Sequence, residues 1–363
     1  MSRMSRPQLT VATTGLDRRR FLFGGAALGA GALVAGCTSN EASDATGAAS
    51  ANVGAAGGDN AEAGTAVTLG FSAPAADHGW IAAITKNAQA QAEQYSDVTL
   101  TATEGTNDVN QQIAQVETLI NGGVDALVIL PFDGKALTQI GVRAMSAGIA
   151  VINLDRIFDT PLAYRAYIGG DNYGMGVAAG TYIGRRLEEA GVANPIIGEV
   201  AGIDSLPLTQ ARSKGFADAL NTFGFKVGPR QAAEFTVESG EEVTANLLQA
   251  APRLDALWNH DDDQGIGVLA AIDEAGREEF FMVGGAGSAN AMRDIKAGTN
   301  VLAATVTYSP SMSSSAISLG RLVAQNRGLS DLVEKEVPSS ITLASATITQ
   351  DNVDDYLPLG FES

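Results

Sequence analysis

Residues 122–131 read Gly122-Gly123-Val124-Asp125-Ala126-Leu127-Val128-Ile129-Leu130-Pro131, and residues 147–156 read Ala147-Gly148-Ile149-Ala150-Val151-Ile152-Asn153-Leu154-Asp155-Arg156. In each, a glycine follows a stretch of helical length and supplies a left-handed cap. A short apolar run comes next, Ala126 to Leu130 or Ala150 to Leu154. Runs apolar on every side read as strands buried on both faces of a parallel sheet.

The alternation extends in both directions. Further apolar runs lie at Val67 to Phe71, Val98 to Thr101, Ile196 to Val200, Ala256 to Trp258, Phe281 to Val283 and Val301 to Val306. Between the runs stand stretches with apolar residues at three- and four-residue steps: 81–95, 109–121, 135–147, 175–190, 209–223, 241–251, 265–275 and 289–297. Regular strand and helix alternation predicts an α/β protein with parallel sheets covered on both faces, in two Rossmann-like lobes. The length of 363 residues suits two such domains.

Upstream of residue 67 the composition differs. Arg18, Arg19 and Arg20 precede an uncharged run from Phe21 to Gly36, and small residues lead to Cys37. This predicts an export signal over 1–36, too short and glycine-rich for a membrane-spanning helix. Arg18-Arg19 with Phe21-Leu22 resembles a twin-arginine motif, and Val34-Ala35-Gly36-Cys37 resembles a lipobox whose cysteine is lipidated. Residues 38–65 hold almost no large apolar side chain, so a lipidated Cys37 followed by a flexible tether is expected over 37–65.

Charge narrows the partners. Removing five arginines and Asp17 with the leader from 23 basic and 41 acidic residues leaves 18 and 40, a net charge of −22. That opposes nucleic acid. A single cysteine excludes an intramolecular disulfide, and two histidines leave little for a metal site, so no cofactor and no metal are expected.

In parallel sheets ligands collect where strands end. Asp77, His78 and Trp80 follow the first strand, Asp133 the third, and Asp155 and Arg156 the fourth. Asp261, Asp262 and Asp263 follow Trp258, Tyr308 follows the last run, and Arg212 and Phe235 join them. Carboxylates accept hydroxyl protons, guanidinium groups donate to neighbouring oxygens, and flat rings cover C–H faces. The combination suits a polyhydroxylated ligand. No nucleophile elbow, His-Glu-x-x-His pair or P-loop is present in the sequence.

The two quoted stretches, with Gly170-Asp171-Asn172-Tyr173-Gly174 and Arg212-Ser213-Lys214-Gly215-Phe216, resemble the type I periplasmic binding proteins of ABC sugar importers, the ribose-binding-protein-like members most of all. The resemblance runs from about Val67 to Ile348. It implies two lobes joined by a three-crossing hinge, near Gly170-Asp171, Tyr308-Ser309 and Val337-Pro338. The first lobe would comprise 66–170 and 309–337, the second 171–308 and 338–350, with 351–363 as a tail. By the same resemblance Asp77, Trp80, Asp155, Arg156, Arg212, Phe235 and Asp261 contact the ligand, with His78, Asp133 and Tyr308 as secondary candidates. Asp262 aligns with an adjacent family aspartate, while Asp263 reads as part of a solvated acidic face.

Two departures bear on the ligand. Gly285-Ala286-Gly287 stands where ribose-type members carry a sugar-gripping aspartate, and Tyr308 stands where they carry glutamine. The expected ligand is therefore a small neutral carbohydrate other than ribose in its usual pose: a pentose, a hexose or a sugar alcohol. The implied partners are that ligand and an ABC permease, with a lipid anchor on the outer membrane face and a monomeric chain. A sensory binding protein serving a receptor fits the same sequence. An exported glycoside-acting enzyme using Asp155 and Asp261 is the alternative from another class. A LacI-like repressor shares the two-lobed core, but an export leader stands here in place of DNA-binding helices.

Overall fold

The computed structural model describes residues 60–363. The export signal, Cys37 and most of the expected tether lie outside the described residues. Two six-stranded sheets are present, and the expected α/β architecture is observed. Strands are numbered in chain order. The first sheet has the order β11-β5-β4-β3-β1-β2 and is wholly parallel: Ser340–Leu343, Ala166–Gly170, Ala150–Leu154, Ala126–Ile129, Val67–Ser72 and Val98–Ala102. The second has the order β12-β10-β9-β8-β6-β7: Thr347–Thr349, Leu302–Thr307, Phe281–Ala286, Ala256–Asn259, Ile197–Ala201 and Val227–Ala232. Its strand β12 runs antiparallel to β10, a departure from the all-parallel expectation.

The quoted stretches form the centre of the first sheet. Ala126 pairs with Ala150 and Ile129 with Asn153, and all four residues of β3 are buried. Gly123 and Gly148 have φ of 73° and 84°, the conformation a residue with a Cβ resists after a helix. The helices α1 (Gly79–Glu93), α2 (Val109–Asn121) and α3 (Gly134–Ser146) alternate with these strands. A further helix, Met312–Ala324, lies against β3, β4 and the first helix. The second sheet carries α4 (Asn172–Glu189), α5 (Pro207–Thr222), α6 (Val237–Ala250), α7 (Asp262–Glu274) and α8 (Ala289–Ala297). One buried cluster runs from Leu69 and Ile152 through Trp80 and Tyr308 to Phe216 and Trp258, so the cores of the lobes meet at the hinge. Among the described residues no helix is long and apolar enough to cross a membrane.

Three expected boundaries need correction. Ser340–Leu343 pairs with β5 in the first sheet, so the third crossing falls at 344–346 and not at Val337-Pro338. Residues 60–65 are held in place, not free as a tether: Arg321 donates to the carbonyls of Asn60 and Glu62 (2.9 Å each), and the Gly64 N–H donates to Asp97. Residues 351–363, expected as a tail, pack on the second lobe, with Phe361 buried and the Ala289 N–H donating to its carbonyl.

Candidate functional site

Asp155 directly follows β4 with φ 60°, a left-handed conformation that aspartate tolerates better than bulkier residues. The turn is pinned by the Tyr167 hydroxyl, which donates to the Asp155 carbonyl (2.9 Å), and it buries the carboxylate between the lobes. The Tyr308 hydroxyl donates to Asp155 Oδ1. Burial and the nearby Asp155 charge hold the phenol far above its ordinary pKa, so it remains a donor. Beside it, Arg156 donates one Nη1 bond to the Phe132 carbonyl (2.7 Å), while its Nε is buried without a partner. An unpaired guanidinium N–H at a cavity wall is a vacant ligand position.

From the second lobe, Arg212 enters on α5. Its Nε donates to Asn172 Oδ1 (2.9 Å) and its Nη1 to the His260 carbonyl (3.1 Å), and its plane covers the Tyr308 ring at 4.5 Å. Asp261 caps α7 by accepting from the N–H groups of Asp263 and Gln264 (2.9 and 3.4 Å) through Oδ1. Burial, and then the neighbouring Asp263 charge, raise the Asp261 pKa. Phe235 follows β7 and packs on Leu206 and Leu208. Trp80 comes from the start of α1, its indole N–H donating to the Tyr308 carbonyl (2.8 Å).

These groups surround one small chamber. Asp155, Arg156, Arg212 and Asp261 supply its polar wall; Trp80, Phe235, Tyr308, His78 and Leu208 supply the rest. The chamber adjoins a cleft of about 330 Å³ through Asp155, Arg156 and Leu208, which line both. Asp133 lines this outer cleft and caps α3 at Ala136 (2.8 Å); it does not reach the chamber.

Asp77 and His78 exchange their expected ranks. The His78 side chain is 9% exposed and lines the chamber; that of Asp77 is 41% exposed and turns to His78 Nδ1 and Asn107 Nδ2 (2.5 and 2.7 Å). Asp77 therefore orients His78 and does not line the chamber. The His78 hydrogen bond holds the Asp77 pKa down. Burial opposes charge on His78, yet the Asp77 bond and the charges of Asp261 and Asp263 leave its pKa raised.

The aspartate triplet diverges. Asp262 accepts from the N–H groups of Gly285 and Ser288 (2.9 and 2.7 Å) and from Thr305 Oγ1 (3.0 Å), tying β8, β9 and β10 together. Burial pushes its pKa up to about 8 against those bonds. Asp263 is buried, not solvated as expected, and accepts the Trp80 N–H across the cleft (2.9 Å). The first turn of α1 has no cap of its own at His78, so a carboxylate of the opposite lobe serves it when the lobes meet. No group of three residues placed to hold a metal occurs among the described residues.

Three participants escape the sequence reading, Asn172, Leu208 and His260, and a fourth, Asp263, is placed by it on a solvated face instead of in the cleft. Asn172 lies inside the quoted Gly-Asp-Asn-Tyr-Gly stretch and joins Arg212 to the Tyr308 hydroxyl (2.9 and 3.1 Å), so that motif was the available signal. His260, wholly buried below the site, meets Glu199 at 2.9 Å, and burial lowers its pKa.

The pattern of the periplasmic binding protein domain matches residues 69–328. The D-ribose/D-allose-binding protein of Pseudomonas aeruginosa is 33% identical over 202 residues, covering 54% of this chain and 62% of that one. The ribose import binding protein of Escherichia coli is 31% identical over 211 residues, covering 58% of this chain and 69% of that one. A Mycobacterium smegmatis structure in complex with β-D-fucofuranose superposes with a TM-score of 0.73 at 25% identity, covering 81% of this chain and 94% of that one. With its two sheets, its hinge-side chamber and a family match over more than half its length, this chain belongs to the periplasmic binding protein family.

Proposed function

We propose that the chain is the extracytoplasmic solute-binding lipoprotein of an ABC importer. It captures a small neutral carbohydrate or polyol by closing its lobes and presents it to a membrane permease, held at the membrane by lipid on Cys37. The observation that carries this reading is the convergence of Asp155 and Arg156 from one lobe with Arg212 and Asp261 from the other on a single chamber walled by Trp80 and Phe235. The import and binding names of the relatives support it.

In the mechanism, separated lobes leave the four polar groups in water. A ligand entering through the outer cleft first meets Asp155 and Arg156. Its hydroxyls donate to Asp155 and accept from the vacant Arg156 Nε; Arg212 and Asp261 then engage from the other side, shifting the population towards closure. Trp80 and Phe235 cover the C–H faces and exclude water. Closure brings Asp263 to the Trp80 N–H, so this bond belongs to the closed arrangement of the lobes.

A thermal-shift screen against tetritols, pentitols, hexitols, pentoses and hexoses tests the reading. A ligand at 100 times its Kd adds about 2.7 kcal/mol to stability. A rise for a narrow group of these compounds is expected. No rise for any of them, in protein unfolded and refolded to strip bound ligand, overturns the proposal.

A further inference from the structure

We propose that Glu199, which does not line the chamber, is the residue that positions the second lobe's half of the site, holding Arg212, Asp261 and Phe235 in register by gripping groups next to them. This inference rests on the binding reading above.

Glu199 lies in the middle of β6, between β8 and β7, and is 1% exposed. A carboxylate buried so deeply has to be paired on both oxygens. Oε1 meets His260 Nε2 (2.9 Å) and accepts from the Ser213 hydroxyl (2.5 Å), while Oε2 faces Arg230 Nε (3.3 Å). On the far side of the imidazole the Gly202 N–H donates to His260 Nδ1 (3.4 Å). Nδ1 therefore accepts, and Nε2 carries the proton given to Glu199. The Trp258 ring, 4.1 Å from the imidazole between centres, holds the plane of that ring. Burial opposes charge on Glu199, yet the bonds from His260 and Ser213 and the charge of Arg230 leave its pKa below the ordinary value; burial lowers that of His260. The pair is a carboxylate and a neutral imidazole.

Each group held in this way adjoins one that lines the chamber. Ser213 follows Arg212 on α5. His260 precedes Asp261, and its carbonyl takes the Arg212 Nη1 bond (3.1 Å). Gly202, just past β6, lies under Phe235: a Cβ there would meet the ring, so the aromatic wall rests on this backbone. One carboxylate thus fixes α5, the end of β8 and the turn after β6 against one another. Hydrogen bonds weaken steeply with misplacement, so a small ligand binds well only where such supports lock its partners.

Calorimetry on the full chain with erythritol, xylitol, D-ribose, D-glucose and sorbitol tests the assignment. In Glu199→Gln the amide has a single acceptor oxygen and turns an N–H against either the imidazole or Arg230. Binding of whichever of these compounds the unaltered chain takes is expected to weaken at least about tenfold. Ser213→Ala cuts only the arm to α5. It is expected to weaken binding about fivefold alone and by less than about twofold in an Arg212→Ala chain, because the hydroxyl acts through that arginine. A residue that only stabilised the fold would lower the melting temperature and leave affinity unmoved. Nitrogen-15 NMR supplies a third readout, since His78 and His260 are the only histidines in the sequence. His260 is expected as the neutral tautomer protonated on Nε2 at pH 7. Unchanged affinity in folded Glu199→Gln overturns the assignment, as does a Ser213→Ala loss that persists in full beside Arg212→Ala, or a His260 proton on Nδ1. If Glu199→Gln does not fold, the serine variant and the spectrum decide. If the unaltered chain binds none of the five compounds, the binding reading itself fails and the assignment falls with it; binding that the variants leave unchanged removes the assignment alone.

Discussion

Replacing Arg321 with methionine is expected to lower the unfolding free energy by about 3–5 kcal/mol, the range for removing one partner of a buried ion pair. Arg321 is 1% exposed and Asp97 5% exposed. Arg321 Nε and Nη2 reach the Asp97 carboxylate at 2.7–3.0 Å, and the guanidinium lies 4.3 Å from the Tyr95 ring centre. The remaining donors hold the carbonyls of Asn60 and Glu62, so one side chain anchors the first described residues and the start of β2 to the helix Met312–Ala324. Methionine keeps the volume and strands the Asp97 charge. Burial opposes ionisation of Asp97, but its bonds from Arg321, Gln325 and the Gly64 N–H outweigh that and hold its pKa far below the usual carboxylate value. A pKa depressed in the folded state gives stability that is present above the unfolded value, about 3.9, and is lost as pH falls through the folded value. The substitution should therefore cost most near neutrality and progressively less in acid. Urea unfolding at pH 7 and pH 4 checks both points; a loss below about 1 kcal/mol at pH 7 would show that other groups carry this corner.

The second large effect is on binding. Arg212→Ala is expected to weaken ligand affinity more than tenfold, because the guanidinium contributes to the polar wall and also fixes two other members of it. Without it the Asn172 amide and the His260 carbonyl lose a donor, and the Tyr308 ring loses its cover. One buried hydrogen bond left unmade costs about 1–3 kcal/mol, a factor of roughly five to one hundred and fifty in affinity. Calorimetry gives the affinity, and thermal unfolding of the same variant separates a binding loss from a folding loss. Unchanged affinity in a folded variant would remove Arg212 from the site.

How much of this was readable in the sequence depended on whether the cause was local. The strands β3 and β4 declare themselves because both faces are covered and every residue is apolar, or nearly so. The edge strand Val227–Ala232 is half exposed and carries Pro229 and Arg230, and Ser340–Leu343 is polar at alternate positions, so neither stands out from a loop. The third crossing, placed at Val337-Pro338 by the resemblance, falls ahead of Ser340–Leu343, which still belongs to the first sheet. Residues 60–65 have nothing apolar to bury; they are held through backbone carbonyls by an arginine some 260 positions away, which composition cannot reveal.

The site divides in the same way. Asp155, Arg156, Phe235, Asp261 and Trp80 stand at strand ends or helix starts and Arg212 in the second turn of α5, and the fold brings them together. Asp77 and His78 are adjacent, and which of them turns inward is decided by Asn107 holding the carboxylate outside. Asp263 reads as a solvated acid because its burial comes from the opposite lobe, where the bare helix start at Trp80 needs an acceptor.

Capture by closure is the central claim, and small-angle X-ray scattering of ligand-stripped and ligand-saturated protein tests it most directly. Using the tightest compound from the thermal screen, the account predicts a smaller radius of gyration on saturation, with the ligand recovered chemically unchanged. Identical scattering curves under conditions where calorimetry shows the site filled would contradict it.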